Sequence, residues 1–471
     1  MLPIYTRFLT PADYGVVGLL IFAVSLLEPM FGGRLGTAIP KFYFDAPDDR
    51  TRRAVVWGAI VFTGVVSVLT FVGVILLRRL GAEILFGNEK YALALGLFSV
   101  TLLSQPVEGV GMSYMRLRKH SRMFLGFSVA KLLIQVALNL LLVVYLREGV
   151  LGVVLSTVGS SVLLGIGLAV YVAVQEPPAF EWHLTKRMVQ YCWPLWLSGL
   201  AGLYIGSSGA VYLRAFDTLS DVGRLQLGLR FATAVGMLLW NPFFQHWQPM
   251  SFQYYKESDG KRKFQVAFIV ISALMFAGGL GASIFAGPVI KVMAAKSFYA
   301  AANIIPFLAL GSVLSSLKAF FNFSFMATGH TKVRSLCNYI TAVMITVAYV
   351  VLIPLNGLMG AAMAQCLAFS GSFLLVYMIS RRYYDPGINV VPIGMFTVIG
   401  ISAYMCSNVV LRIPAFGLDL LMKSVVLVVA VALIALVAFR ELRAVNGPSF
   451  ENLPWPLDRL GRIQFGRQSG S

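Results

Sequence analysis

The chain has 471 residues, 58% of them hydrophobic and 12% charged, with a formal net charge of +18 and a mean hydropathy of +0.79. A water-soluble domain cannot bury so large an apolar share, so the composition excludes a soluble enzyme or binding module and requires a bilayer. The basic residues are spread thinly between apolar runs, without the stripe a duplex needs, which excludes nucleic acid as a partner and leaves membrane orientation as the role of the charge.

The first element is a polar turn, Arg7-Phe-Leu-Thr-Pro-Ala-Asp-Tyr-Gly15, that opens directly onto an apolar run. About 20 mainly apolar residues are needed for a helix to span the hydrocarbon core. That rule predicts complete segments at 15–38, 54–77, 91–115, 123–146, 149–174, 190–213, 224–249, 264–288, 301–326, 333–353, 357–380, 391–411 and 415–439. Residues 1–9 are too short to span, although their counterpart later in the chain, 190–213, has full length. They are numbered here as the end of segment 1, with about 15 to 25 further apolar residues expected upstream of Met1. The expected fold is all-α: a polytopic membrane protein of fourteen segments whose first helix is truncated.

Three echoes at nearly one offset divide the chain into repeats. Asp13/Gly15 align with Asp221/Gly223, Gly149-Val-Leu-Gly152 with Gly357-Leu-Met-Gly360, and the turn His120-Ser-Arg122 with His330-Thr-Lys332. Six segments per repeat is an even number, so the second repeat starts on the same side as the first and the two are parallel. The expected organisation is a lobe at 1–174, a pseudo-symmetric lobe at 190–380, two extra transmembrane helices at 391–440 and a tail at 441–471.

Lys and Arg are roughly twice as frequent in the loops after the even-numbered segments as in the others, richest at 41–53, 116–122 and 256–263, which places those loops and the tail in the cytoplasm. The four cysteines lie far apart in apolar runs and read as small core residues. With no metal-ligand spacing, phosphate loop or hydrolase signature, the sequence offers no metal, cofactor or catalytic site.

Ionisable residues inside the segments cost at least about 2.5 kcal/mol each, so the few present are candidates for function. They are Glu28, Arg34, Glu108 and Lys131 in the first repeat, and Arg230 and Lys318 in the second. Glu108 and Lys131 lie equally far from the turn joining segments 4 and 5 and can pair, either as a structural ion pair or as part of a transport path. Lys318 falls at the position equivalent to Glu108. Glu28 and Arg34 are six residues apart and do not share a helix face. Arg7, Arg34 and Arg230 suit an anionic ligand, because guanidinium is always charged and grips phosphate bidentately; the alternative for Arg7 and Arg34 is snorkelling toward opposite interfaces. Segment 8 ends in Trp240-Asn-Pro-Phe-Phe-Gln-His-Trp-Gln-Pro249. There Trp240, Asn241, Gln245 and His246 could stack on sugar rings and bond hydroxyls, Trp247 fits an interfacial belt, and His246 is either structural or proton-coupling.

The stretch from Leu2 through Gly15, the residues 32–43 and the two repeats resemble bacterial polysaccharide flippases, the Wzx-type O-antigen and exopolysaccharide members of the multidrug/oligosaccharidyl-lipid/polysaccharide exporter superfamily. The resemblance covers Met1 to Arg440. It implies a two-lobed, fourteen-helix transporter in the bacterial inner membrane that turns undecaprenyl-pyrophosphate-linked oligosaccharide from the cytoplasmic to the periplasmic leaflet. It also implies a cationic central cavity, to which Arg7, Arg34 and Arg230 correspond by location. Membrane lipids, a polysaccharide polymerase and export proteins are the partners it suggests. A cation-coupled drug exporter of the same superfamily is the alternative, with Glu28 and Glu108 as protonating carboxylates; four basic residues against these two acids favour an anionic substrate. A membrane glycosyltransferase or polymerase would share the substrate but needs a paired-carboxylate site that the sequence does not display.

Overall fold

The structure, a computed structural model, describes residues 2–30, 35–410 and 416–446. The regular elements among them are helical. In chain order they are α1 (Leu2–Phe8), α2 (Pro11–Met30), α3 (Ile39–Phe44), α4 (Asp49–Phe86), α5 (Ala92–Phe98), α6 (Thr101–Leu117), α7 (Ser121–Asn139), α8 (Gly149–Gln175) and α9 (Trp182–Ser207). They continue as α10 (Gly209–Phe216), α11 (Leu219–Val235), α12 (Asn241–Tyr254), α13 (Gly260–Met293), α14 (Ile305–Ala327), α15 (Thr331–Ser380), α16 (Val391–Met405) and α17 (Phe416–Asn446).

Ten helices among the described residues are long and apolar enough to cross a membrane. One of them, α15, holds two of the expected spans, because Gly357 at φ 51° and ψ −128° breaks the helix between them. The stretches 190–213 and 224–249 are helical but assembled from pieces. There α9 meets α10 at Ser208, and α11 runs through a π turn at Gly236–Trp240 into α12. A π turn inserts one residue per turn and rotates the faces that follow it.

The ends of α4 show how local chemistry sets a span. The Asp48 side chain caps it by accepting from the Thr51 amide, and Gly87 closes it in the left-handed region at φ 64°. Those Thr51 hydrogen bonds also hold the Asp48 carboxyl below its ordinary value. Between the caps only 11% of the most apolar window is buried in protein, so this face of the chain meets lipid.

The chain divides into two compact units: 1–233 with 285–312 and 332–374, and 234–284 with 313–331 and 375–471. The first has its core on Val16, Leu19 and Leu20 of α2, Phe86, Phe98, Val154, Leu225 and Ile305. The core of the second is aromatic. Trp247 packs on Phe264 at 5.0 Å and Phe320 at 5.1 Å, and Phe264 packs on Phe323 at 5.0 Å. Trp247 is therefore a core residue at 6% exposure rather than a member of an interfacial belt, which hydropathy does not register.

All three sequence echoes reappear as backbone geometry. Thr10 and Asp13 exchange hydrogen bonds, with the Thr10 hydroxyl 2.7 Å from Asp13 Oδ2 and the Asp13 amide 3.2 Å from Thr10 Oγ1. Thr218 and Asp221 do the same at 2.5 and 3.2 Å. This reciprocal cap starts α2 and α11 alike. Burial pushes the Asp221 carboxyl up, but its hydrogen bonds from Thr218 and Arg224 outweigh that and leave it below the ordinary value. Gly149 and Gly357 both adopt positive φ, 54° and 51°, as do Lys119 and Gly329, 58° and 76°, each just before its echo histidine. His120 then bonds the Tyr171 hydroxyl at 2.6 Å, and His330 packs on Tyr383 at 4.6 Å.

One buried acid ties α4, α6 and α8 together. Glu176 takes hydrogen bonds from the Tyr114 hydroxyl at 2.8 Å and Arg118 at 2.7 Å, while Trp57 donates to its carbonyl at 2.9 Å. Its charge is thereby matched where it stands 5% exposed.

Candidate functional site

The site starts from the place where α2 and α11 touch. A Cβ at Gly15 would run into the carbonyl of Leu219, and one at Gly223 into the carbonyl of Pro11. Helices α2 and α11 thus cross with their backbones in contact, which in a membrane only small residues permit. One turn further on, Gly18 leaves the space that the Gln226 side chain fills, since a Cβ there would lie 2.5 Å from Gln226 Cγ.

Beyond this crossing, within the first unit, is a cavity of about 360 Å³. Its polar lining is Tyr5, Tyr14, Gln135, Thr157, Gln226 and Arg230; Val17, Ile21, Phe98 and Val153 complete the wall. Tyr5 is held in place by donating to Asn139 Oδ1 at 2.8 Å, and Asn139, fully buried, donates in turn to the Gln135 carbonyl at 2.7 Å. Tyr14 stands edge-on to Phe298 at 6.0 Å and at 6.4 Å from the Tyr5 ring. The Arg230 guanidinium acts on both tyrosine hydroxyls and is itself exposed, so it retains donors for a ligand.

One permanent cation, two amides, a threonine hydroxyl and two tyrosines can bind a phosphate together with sugar hydroxyls, and none of this needs bond-making chemistry. Arg230 is the sequence-nominated residue that the cavity contains. Gln135 and Gln226 were passed over because hydropathy singles out charges, and neutral amides and phenols sit inside apolar helices at lower cost. A signal was available in the spacing: Gln226 precedes Arg230 by four, and Lys131, Gln135 and Asn139 recur every four, so each set shares a helix face.

The remaining nominated residues stand elsewhere. Arg7 is exposed and donates to the Val292 carbonyl at 3.3 Å, near the end of α13. Arg34 lies outside the described residues. Glu108 and Lys131 form an ion pair at 2.5 Å, and Glu28 is close enough to act on Glu108. Lys318 is 9% exposed in α14. Trp240, a candidate for stacking on a sugar, is instead packed into the second unit's core at 7% exposure, stacked on Phe244 at 5.3 Å. Asn241, Gln245 and His246, which follow it, are exposed.

A family model described as "Polysaccharide biosynthesis protein" matches residues 1–255. No curated protein matches the chain. Among solved structures, the chain is similar to a lipid II flippase MurJ in an inward closed conformation, with a TM-score of 0.74, 10% identity, and coverage of 93% of this chain and 95% of that one. It is also similar to an inward-facing multidrug resistance MATE family transporter of the MOP superfamily, with TM-score 0.62, 15% identity and coverage of 81% and 93%. A third is the MATE multidrug transporter DinF-BH, with TM-score 0.56, 15% identity and coverage of 80% and 89%. At these identities the likeness establishes a shared fold.

Proposed function

The chain belongs to the polysaccharide biosynthesis protein family, and from that membership we propose that it flips polyprenyl-pyrophosphate-linked oligosaccharide units across the bacterial inner membrane for cell-surface polysaccharide assembly. The observation that carries this reading is the cavity in which Arg230 faces Tyr5, Tyr14, Gln135 and Gln226. A pyrophosphate needs a cation that never deprotonates, and a glycan needs amide and hydroxyl partners beside flat apolar rings. A cationic drug would instead meet a guanidinium of its own sign. Repeats 1–174 and 190–380 act as the two lobes of alternating access, with 391–440 as an additional helical pair and 441–471 as a cytoplasmic tail. Export is non-enzymatic. A polysaccharide polymerase and export proteins are the partners that receive the product.

Deleting the gene should abolish surface polysaccharide and cause lipid-linked units to accumulate on the cytoplasmic leaflet. Intact surface polysaccharide together with increased sensitivity to cationic dyes would favour the drug-exporter alternative.

Orientation is tested separately. In a cysteine-free background, Arg50→Cys and Lys256→Cys should resist membrane-impermeant thiol reagents added to intact cells, while Lys90→Cys and Lys296→Cys should react. All four positions are exposed, so access to reagent depends on the side of the membrane. The inverse pattern would reverse the direction of transport.

A further inference from the structure

A second cavity, a groove of about 550 Å³, lies in the first unit along the lipid-facing helix α4. Its walls are Ala23 and Leu27 of α2, Leu95 of α5, and a stripe of α4 that runs from Val66 to Leu85. The stripe recurs every three or four residues, so it is one face of the helix. Thr70, the one polar side chain in the wall, donates its hydroxyl to the Val66 carbonyl at 2.8 Å. The wall therefore has no free side-chain donor to offer, and hydrocarbon suits it better than water. Gly73 supplies part of the space, since a Cβ added there would meet nothing within 4 Å.

Arg78 interrupts this apolar stripe. It follows Val74 by four residues and precedes Gly81 by three, and both of those line the groove. A Cβ at Gly96 would lie 3.6 Å from Arg78 Cδ, so the stem of Arg78 rests on α5 next to Leu95 of the wall. Arg79 stands beside it, and both arginines are exposed. Among the described residues neither side chain has an ion-pair or hydrogen-bond partner; Glu83, one turn past Arg79, is exposed as well. Leu76 and Leu77 before the pair, and Leu80 and Ile84 after it, are all more than half exposed. The two guanidiniums thus sit in a lipid-facing surface, where a charge calls for an anion. The anion that a bilayer itself supplies is a lipid phosphate, which guanidinium grips bidentately.

We propose that the groove binds one anionic phospholipid, with an acyl chain along α4 from Val66 to Leu77 and the phosphate on Arg78 and Arg79. The length fits a single leaflet. Val66 and Arg78 are twelve residues apart, a helix rise of about 18 Å, against about 15 Å for half of a hydrocarbon core. An acyl chain matches that distance, whereas the tail of a polyprenyl carrier is far longer than a leaflet. Two guanidiniums without a carboxylate favour a headgroup of net negative charge over a zwitterionic one. The groove shares no wall residue with the cavity that contains Arg230, so its occupant is a resident lipid and the site is independent of the one proposed for cargo.

Native mass spectrometry of the full-length protein tests this, after delipidation in detergent and titration with phosphatidylglycerol or phosphatidylcholine carrying the same acyl chains. Wild type should retain one phosphatidylglycerol at a concentration about tenfold below that needed for phosphatidylcholine. Arg78→Gln/Arg79→Gln should lose that preference. Gly73→Leu fills the groove and should weaken retention of both lipids about tenfold. Gly64→Leu, where an added Cβ also meets nothing within 4 Å but which lies outside the groove, should bind as wild type does. The thermal-unfolding midpoint of each variant separates loss of binding from loss of fold. Retention unchanged by either the arginine pair or Gly73→Leu would overturn the proposal and leave the arginines as snorkelling residues. Equal retention of the two lipids by wild type would overturn it too. Displacement of bound phosphatidylglycerol by equimolar undecaprenyl phosphate would make the groove a carrier-lipid site and overturn the choice of occupant.

Discussion

Arg230→Ala should reduce complementation of a flippase-deficient strain to about a tenth of wild type or less, at unchanged membrane abundance. A hydrogen bond to a charged group contributes about 1.5 to 3 kcal/mol, and each 1.4 kcal/mol is about tenfold in an equilibrium, so losing the cation should cost between about tenfold and about a hundredfold. Arg230→Lys keeps the charge but loses the planar fork, and should fall between the two. Tyr14→Phe removes a hydroxyl on which the guanidinium acts while preserving the ring, and should cost less than Arg230→Ala. If Arg230→Ala complements fully, the cavity is not the substrate site.

Gly223→Val should prevent accumulation of folded protein. Its Cβ would enter the carbonyl of Pro11, a backbone atom that no rotamer change can move. Overpacking a core costs about 1 to 3 kcal/mol even where side chains can shift, and here α2 and α11 would have to separate. Gly15→Val should behave alike, since its Cβ meets the Leu219 carbonyl from the other side. Gly126→Ala is the control, because nothing lies within 4 Å of the added carbon. The measurement is the thermal-unfolding midpoint in detergent. A Gly223→Val protein with the wild-type midpoint would show that the backbones do not touch as described.

The three echoes were legible because their signals are local. Thr10/Asp13 and Thr218/Asp221 are caps, and Gly149 and Gly357 need positive φ, so residue type and position alone reveal them. The span at Gly357 was separable from sequence for the same reason, although the helices on either side run on continuously apart from the break. The site was less legible. Arg230 stood out by charge, but Tyr5, Tyr14 and Gln226 become a site only when the Gly15–Gly223 crossing brings α1, α2 and α11 together. The burial of Trp240 and Trp247 was not legible, because an aromatic residue in an apolar segment can face lipid, a cavity or the core, and composition does not distinguish these.

The central claim is tested most directly by purified protein in proteoliposomes carrying undecaprenyl-pyrophosphate-linked oligosaccharide, with the leaflet of the glycan read by an impermeant glycosidase. Wild type should transfer the glycan between leaflets, and Arg230→Ala should leave it where it was loaded. Equal transfer by the two proteins, or transfer by neither alongside transport of a cationic dye by wild type, would contradict the account.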